Sequence, residues 1–227
     1  MIFGYLTLEL RRSLRAPGTL LFITGFPAVF YLLETMLYEG QEIPGYAGDF
    51  STVVLVSMNA WGMLMTGLFI GGRVVNERAA GWQRQLRLTP LSGGMYLASK
   101  VAVGMLVALP TAVIVSVVAV VFEGVRLTLS GWMHVTLYIW LGAIPFAILG
   151  LLIGQLANKN NIQSITTITV LLLALLGGLF VPIETLPSWW EKTAMLVPTY
   201  WLTEIGRRVS CPATTRSWRR VSCSDGR

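Results

Sequence analysis

Long apolar stretches separated by short polar segments dominate the hydropathy pattern of this 227-residue chain. A bilayer core about 30 Å thick needs roughly 20 helical residues at about 1.5 Å each. Several apolar stretches reach or approach that length, and we predict that each forms a membrane-spanning helix. The predicted spans are residues 18–37, 53–71, 101–122, 135–156 and 165–181. The pattern therefore predicts an all-α fold, a polytopic membrane helical bundle.

Composition and charge agree with a membrane protein. Only 12% of the residues are charged and 54% are hydrophobic, whereas a soluble domain is typically about 25% charged. Residues 1–206 carry 11 Lys/Arg against 10 Asp/Glu, and residues 207–227 carry six against one. The high isoelectric point therefore comes mainly from the end of the chain, and it does not indicate a nucleic-acid-binding body.

The distribution of Lys and Arg predicts the orientation of the spans in the membrane. With the N-terminus in the cytoplasm, the inner segments hold nine Lys/Arg and only two acids, Glu9 and Glu77. The outer loops up to Gly206 then hold two Lys/Arg and seven acids. We therefore expect a multi-pass protein of the cytoplasmic membrane with a cytoplasmic N-terminus.

The last 21 residues break this pattern. They would lie outside, yet they are rich in Arg, and the pentapeptide Arg-Arg-Val-Ser-Cys occurs at 207–211 and again at 219–223. We predict a permease domain over 1–206 and a tail over 207–227 that is disordered or out of frame, with a sixth span lost after Gly206. The alternative is a genuine basic tail.

The N-terminal segment is predicted to be an amphipathic helix at the membrane surface. One helical stripe is apolar and another is cationic. The first comprises Phe3, Leu6, Leu10 and Leu14, and the second comprises Arg11, Arg12 and Arg15. The alternative is a charged flank that only fixes topology. We also expect the pairs Gly67/Gly71 and Gly150/Gly154 to pack helices within one subunit rather than between two.

The polar segment between the second and third spans is predicted to be a short charged helix followed by a turn. Residues 73–88 contain no internal helix breaker except Gly81, and Pro90 disfavours helix at Thr89. By sequence alone, a force-transmitting element and a solvated loop are equally compatible with it. However, Glu77-Arg78-Ala79-Ala80-Gly81, Leu86, Thr89-Pro90 and Lys100 resemble this segment in ABC type-2 exporter permeases. Trp82 departs from the threonine usual in that family.

A second segment is similar to the outer segment of the same family, which forms two short re-entrant helices. It contains a Gly-x-Phe-x-Pro motif, a Leu-Pro-x-Trp motif and a later proline. The matching residues are Phe180, Pro182, Glu184, Leu186, Pro187, Trp189 and Pro198. The alternative is an aromatic belt on a plain loop.

The resemblance implies a six-span architecture, of which this chain shows five, and a permease subunit of an ABC exporter. It implies an ABC ATPase partner and a second permease subunit. The residues then expected to couple to the ATPase are Glu77, Arg78, Gly81, Arg84, Leu86, Arg87 and Pro90. The chain has no Gly-x-x-x-x-Gly-Lys-Ser/Thr phosphate loop, so it is expected to bind no cofactor and to leave ATP and Mg²⁺ to its partner.

Polar residues are sparse in the spans, and hydrogen bonding between helices is the explanation we favour for them. The alternative is a translocation path that suits an amphipathic, lipid-like or drug-like cargo. The alternative functions are a stand-alone secondary transporter, an assembly factor or a membrane enzyme. No run of acids and histidines and no convergent catalytic cluster supports them.

Overall fold

The computed structural model describes residues 2–15, 17–37, 50–81, 92–125, 127–180 and 188–210, and within these ranges it contains helices and no strand. The predicted all-α fold is thus confirmed. The helices are α1 Ile2–Leu14, α2 Pro17–Leu37, α3 Phe50–Ala79, α4 Gly93–Glu123, α5 Leu129–Met133, a π-helix His134–Tyr138, α6 Ile139–Leu141, α7 Ala143–Leu156, α8 Ile162–Leu176, α9 Ser188–Ala194 and α10 Pro198–Ser210.

Three helical segments of the described chain are long and apolar enough to cross a membrane: α3, α4 and the run Gly131–Leu156. Leu21–Leu37 and α8 are apolar but shorter. The predicted fifth span, residues 165–181, extends beyond α8, which ends at Leu176. Gly177 and Gly178 form a turn there, and Gly178 has a φ of 68°, which glycine adopts at little cost.

Helix α3 is the centre of the bundle. Of its apolar window, 83% is buried inside the protein, against 39% for the other two long segments. It contacts α2, α4, α7, α8 and α10. The outer faces of α4 and α8 instead expose large apolar side chains such as Val121 and Leu171. A buried central helix inside an apolar outer surface is the arrangement expected in lipid.

Glycines let α3 and α7 approach until their backbones touch. A Cβ added to Gly154 would lie 2.7 Å from the carbonyl oxygen of Gly71, and one added to Gly67 would lie 2.8 Å from the backbone nitrogen of Ala147. Gly150 packs against Gly67 in the same way. The two small-residue pairs therefore pack against each other within one chain, as predicted.

Side-chain contacts fix the direction of the helices. Along α2 and α4, Thr24 pairs with Thr111 and Thr35 with Glu123, so these helices run parallel. Helix α4 runs antiparallel to α3, because Gly104 lies against Ile70 while Thr111 lies against Gly62. Helix α3 therefore ends where α4 begins, close to Lys100, and we call this side of the bundle the Lys100 end.

Candidate functional site

A buried ion cluster joins three helices at the Lys100 end. The Nζ atom of Lys100 lies 2.6 Å from Oε1 of Glu9 on α1 and 2.5 Å from Oε1 of Glu77 on α3. All three residues are at most 5% exposed. Burying a charge is costly unless it is paired and hydrogen-bonded, so these groups stabilise the fold only while they remain together.

The remaining carboxylate oxygen of Glu77 is also satisfied. Tyr96 Oη donates a hydrogen bond of 2.7 Å to Oε2 of Glu77. Tyr96 and Lys100 lie one helical turn apart on α4, and this i, i+4 spacing places both on the face of α4 toward α3. Nζ of Lys100 also lies 5.3 Å from the centre of the Tyr96 ring. At the exposed edge, Arg12 adds a looser ion pair to Glu77 at 3.6 Å.

Helix α1 joins the bundle through a polar stripe. Glu9 and Ser13, four residues apart, are its buried polar side chains, and Ser13 Oγ donates to the carbonyl oxygen of Glu9 at 2.9 Å. Arg73 on α3 donates a hydrogen bond to Ser13 Oγ. Of the predicted apolar stripe, Leu10 is half-buried, and the side chains of its other three members lie outside the described residues.

Arg78 connects the end of α3 to the end of α7. Its Nη1 donates to the carbonyl oxygens of Gly154 at 3.0 Å, Gln155 at 2.5 Å and Ala157 at 3.3 Å. These carbonyls at the C-terminus of a helix are partly negative and have no partner within the helix. A guanidinium is therefore well suited to cap α7, and Arg78 ties α3 to the turn before α8.

The structure changes how two of the predicted coupling residues must be understood. Glu77 is 3% exposed and lies inside the bundle, so it offers little surface for a direct contact with another subunit, and its coupling role stays a prediction. The predicted helix over 73–88 is wrong, because α3 ends at Ala79 and Gly81 has a φ of 72°. The glycine takes the left-handed conformation that terminates helices. Arg84, Leu86, Arg87 and Pro90 lie outside the described residues.

The outer segment is described in part. The ring of Phe180 lies 4.9 Å from that of Trp61 and 5.9 Å from that of Phe30, measured between centroids. Trp189 lies in α9 and Pro198 begins α10. Four of the predicted residues lie outside the described ranges, namely Pro182, Glu184, Leu186 and Pro187.

Helix α10 lies beside α8 and runs parallel to it. Thr199 Oγ1 donates to the carbonyl oxygen of Leu173 at 2.8 Å, and Thr203 Oγ1 donates to that of Gly177 at 3.3 Å. The chain therefore turns back along α8 before α10 begins. The described part of the outer segment thus contains two short helices, and the re-entrant segment itself stays a prediction. Helix α10 continues four residues beyond the predicted domain boundary at Gly206.

Sequence reasoning missed the partners of Glu77. In the sequence, Glu9 stands out only as an acid in an otherwise cationic inner segment, and Lys100 only as a motif residue. A usable signal existed, since two isolated acids and a lysine at the start of an apolar span must each find a partner if they are buried. Tyr96, one helical turn before Lys100, gave no such signal.

The comparisons with known proteins agree with this architecture. Residues 27–221 match the profile of a family described as ABC-2 family transporter protein. The chain is also 28% identical over 193 residues to YvfS of Bacillus subtilis (strain 168), which is assigned as a transport permease. That match covers 85% of this chain and 78% of the relative. No solved structure matches the chain significantly. The helical membrane bundle and the family match together show that this chain belongs to the ABC-2 family of transporter proteins, and is an integral membrane permease.

Proposed function

We propose that this permease is the membrane subunit of an ATP-driven exporter in the cytoplasmic membrane, with its Lys100 end facing the cytoplasm. The observation that carries the proposal is the buried cluster of Lys100, Glu9 and Glu77, which joins α1, α3 and α4 at that end. Arg78 adds the end of α7 to the same unit. A separate ATPase subunit, using its own ATP and Mg²⁺, would supply the energy.

The contacts at the Lys100 end support a joint movement of α1, α3, α4 and α7 rather than independent movement of each helix. A force applied to the turn after α3 reaches α7 through Arg78 and reaches α1 and α4 through Glu77 and Lys100. Helix α3 contacts most of the bundle, so tilting its end would move the whole subunit. In this arrangement Glu77 is a positioning residue, and the surface that meets the ATPase comprises the turn around Gly81 and the turn before α8.

Two permease subunits and their ATPases would form the complete exporter, and the cargo would be amphipathic, lipid-like or drug-like. Polar groups inside α3 support such a sparsely polar path. Asn59 Nδ2 and Thr66 Oγ1 donate to carbonyls of their own helix, those of Leu55 and Gly62, at 2.9 Å and 2.8 Å. Both side chains are at most 4% exposed, and although Oδ1 of Asn59 has no hydrogen-bond partner among the described residues, a strongly polar cargo would reach few partners there.

The test is reconstitution of the chain with its ATPase subunit in proteoliposomes, measuring cargo efflux and cargo-stimulated ATP turnover. Gly81→Pro is expected to abolish the stimulation while membrane insertion stays normal, because proline cannot adopt a φ of 72°. Gly25→Ala is the matched control, since a Cβ there meets nothing within 4 Å. Transport that proceeds without the ATPase, or labelling that places Gly81 outside the cell, would refute the proposal.

A further inference from the structure

We propose that a cleft at the Lys100 end binds the anionic phosphate headgroup of a membrane phospholipid. The cleft has a volume of about 370 Å³ and lies between α1, α3 and α8. Its lining includes the polar side chains of Arg12, Arg73 and Asn76 and the apolar side chains of Leu68, Phe69 and Ile162. The inference goes beyond the proposed function, because it requires neither the ATPase nor a cargo.

The hydrogen-bonding groups in the cleft favour an anion. Two carboxylates, Glu9 and Glu77, also line it, but Lys100 and Tyr96 already occupy oxygens of these carboxylates. A guanidinium has five N–H donors, and the side chain of Arg12 is 62% exposed. Lys100, Arg12 and Arg73 together carry three positive charges, against the two negative charges of Glu9 and Glu77. The net charge of +1 matches the single negative charge of a phosphodiester.

The order of residues along α3 fits an amphiphile in one orientation. Leu68 and Phe69 come first, and Arg73 and Asn76 follow one to two turns later, toward the Lys100 end. On α3, the polar and apolar lining residues are thus separated, with the cationic part next to the end of the bundle. A phospholipid headgroup would contact the arginines while its acyl chains follow the apolar wall away from them.

The cleft is continuous with the surface that faces lipid. Ile162 and Thr166 of α8 line it, and the neighbouring residues Ile165 and Ile168 on the same helix are exposed apolar side chains. A lipid can therefore reach the arginines laterally from the bilayer. Free phosphate would use only the polar half of the cleft and would leave this apolar wall unoccupied, which is why we assign the site to a lipid.

The experiment is native mass spectrometry of the purified full chain in neutral detergent, titrated with phosphatidylglycerol or phosphatidylcholine. We expect phosphatidylglycerol to bind about tenfold more tightly, because both lipids carry the phosphodiester but the choline of phosphatidylcholine adds a cation that the arginines repel. The double substitution Arg12→Gln and Arg73→Gln is expected to remove that preference. The control double substitution, Arg11→Gln with Arg15→Gln, removes the same charge from exposed positions of the N-terminal segment and is expected to keep it.

A second variant guards against disruption of the contact between Arg73 and Ser13. Asn76→Asp keeps both arginines and adds a carboxylate at an exposed position of the cleft, and it is expected to weaken binding of phosphatidylglycerol but not of phosphatidylcholine. Equal loss of preference in both double variants, or full preference in Asn76→Asp, would overturn the proposal. Displacement of phosphatidylglycerol by an equal concentration of glycerol 3-phosphate would also overturn it and would assign the cleft to a free phosphate.

Discussion

Lys100 and Glu9 form a buried ion pair of 2.6 Å although they are 91 residues apart in the sequence. The pair attaches α1, which precedes the first apolar helix, to the start of α4. Glu77 of α3 contacts the same ammonium, so the pair belongs to one site shared by α1, α3 and α4. The position of α1 therefore reports on the integrity of the whole Lys100 end.

Removing the cation of the cluster should destabilise the protein strongly. Lys100→Met leaves Glu9 and Glu77 buried and facing each other, and breaking a buried ion pair in this way costs about 3–5 kcal/mol. We expect the free energy of unfolding in SDS titrations to fall by roughly that amount. We also expect protease cleavage near α1 to become faster.

A compensated variant separates charge from packing. Lys100→Met combined with Glu9→Gln and Glu77→Gln removes all three charges, and it should recover more than half of the lost stability, because no carboxylate remains buried without a cation. If the triple variant is as unstable as Lys100→Met alone, the loss comes from packing of the lysine stem, and the electrostatic explanation is wrong.

The hydroxyl of Tyr96 should contribute measurably to the free energy of unfolding. Tyr96→Phe keeps the ring but removes the 2.7 Å hydrogen bond to Glu77, and bonds to charged groups contribute about 1.5–3 kcal/mol. SDS unfolding should show a loss in that range. The same substitution made with Glu77→Gln present should cost less, and equal costs in the two backgrounds would contradict a bond to the carboxylate.

Arg78 should affect coupling more than stability. Arg78→Ala removes the cap of α7, for which about 1 kcal/mol or less is expected. It also breaks the link between α3 and the turn before α8. Cargo-stimulated ATP turnover should therefore fall severalfold while unfolding changes little.

The conservative variant Arg78→Lys tests the geometry of this cap. It keeps the charge, but the lysine side chain is shorter than that of arginine, so its ammonium reaches the carbonyls contacted by Nη1 of Arg78 less well, and intermediate turnover is expected. Wild-type turnover in Arg78→Ala would exclude the coupling role.

Much of the fold could be predicted because lipid imposes a simple requirement on sequence. Apolar runs of sufficient length mark the helices, and glycine spacing indicated the contact between α3 and α7. Helix ends were less accessible, since Gly81 and Gly178 take a positive φ two residues after the ends of α3 and α8, inside stretches that composition alone would continue. Both stops depend on backbone conformations that the surrounding residues do not specify.

The ion cluster could be predicted only in part. Resemblance to the family drew attention to Glu77 and Lys100, but the proximity of Glu9 depends on how α1 lies against the bundle. That placement follows from tertiary contacts over 91 residues, which no local pattern encodes. The contacts of Arg78 could not be predicted either. Its acceptors are backbone carbonyl oxygens, which every residue type has, so the sequence does not identify them.

The contact between α3 and α7 should tolerate no side chain on its glycines. Gly154→Ala would place a Cβ 2.7 Å from the carbonyl oxygen of Gly71, and backbone atoms at that distance must move apart. Overpacking of this kind costs about 1–3 kcal/mol.

Gly72→Ala is the matched control, because a Cβ at that position, next to Gly71, meets nothing within 4 Å. It should change stability by about 0.5 kcal/mol or less. SDS unfolding of the two variants measures the difference. Equal stability would mean that α3 and α7 are farther apart in the membrane than their glycine contact indicates.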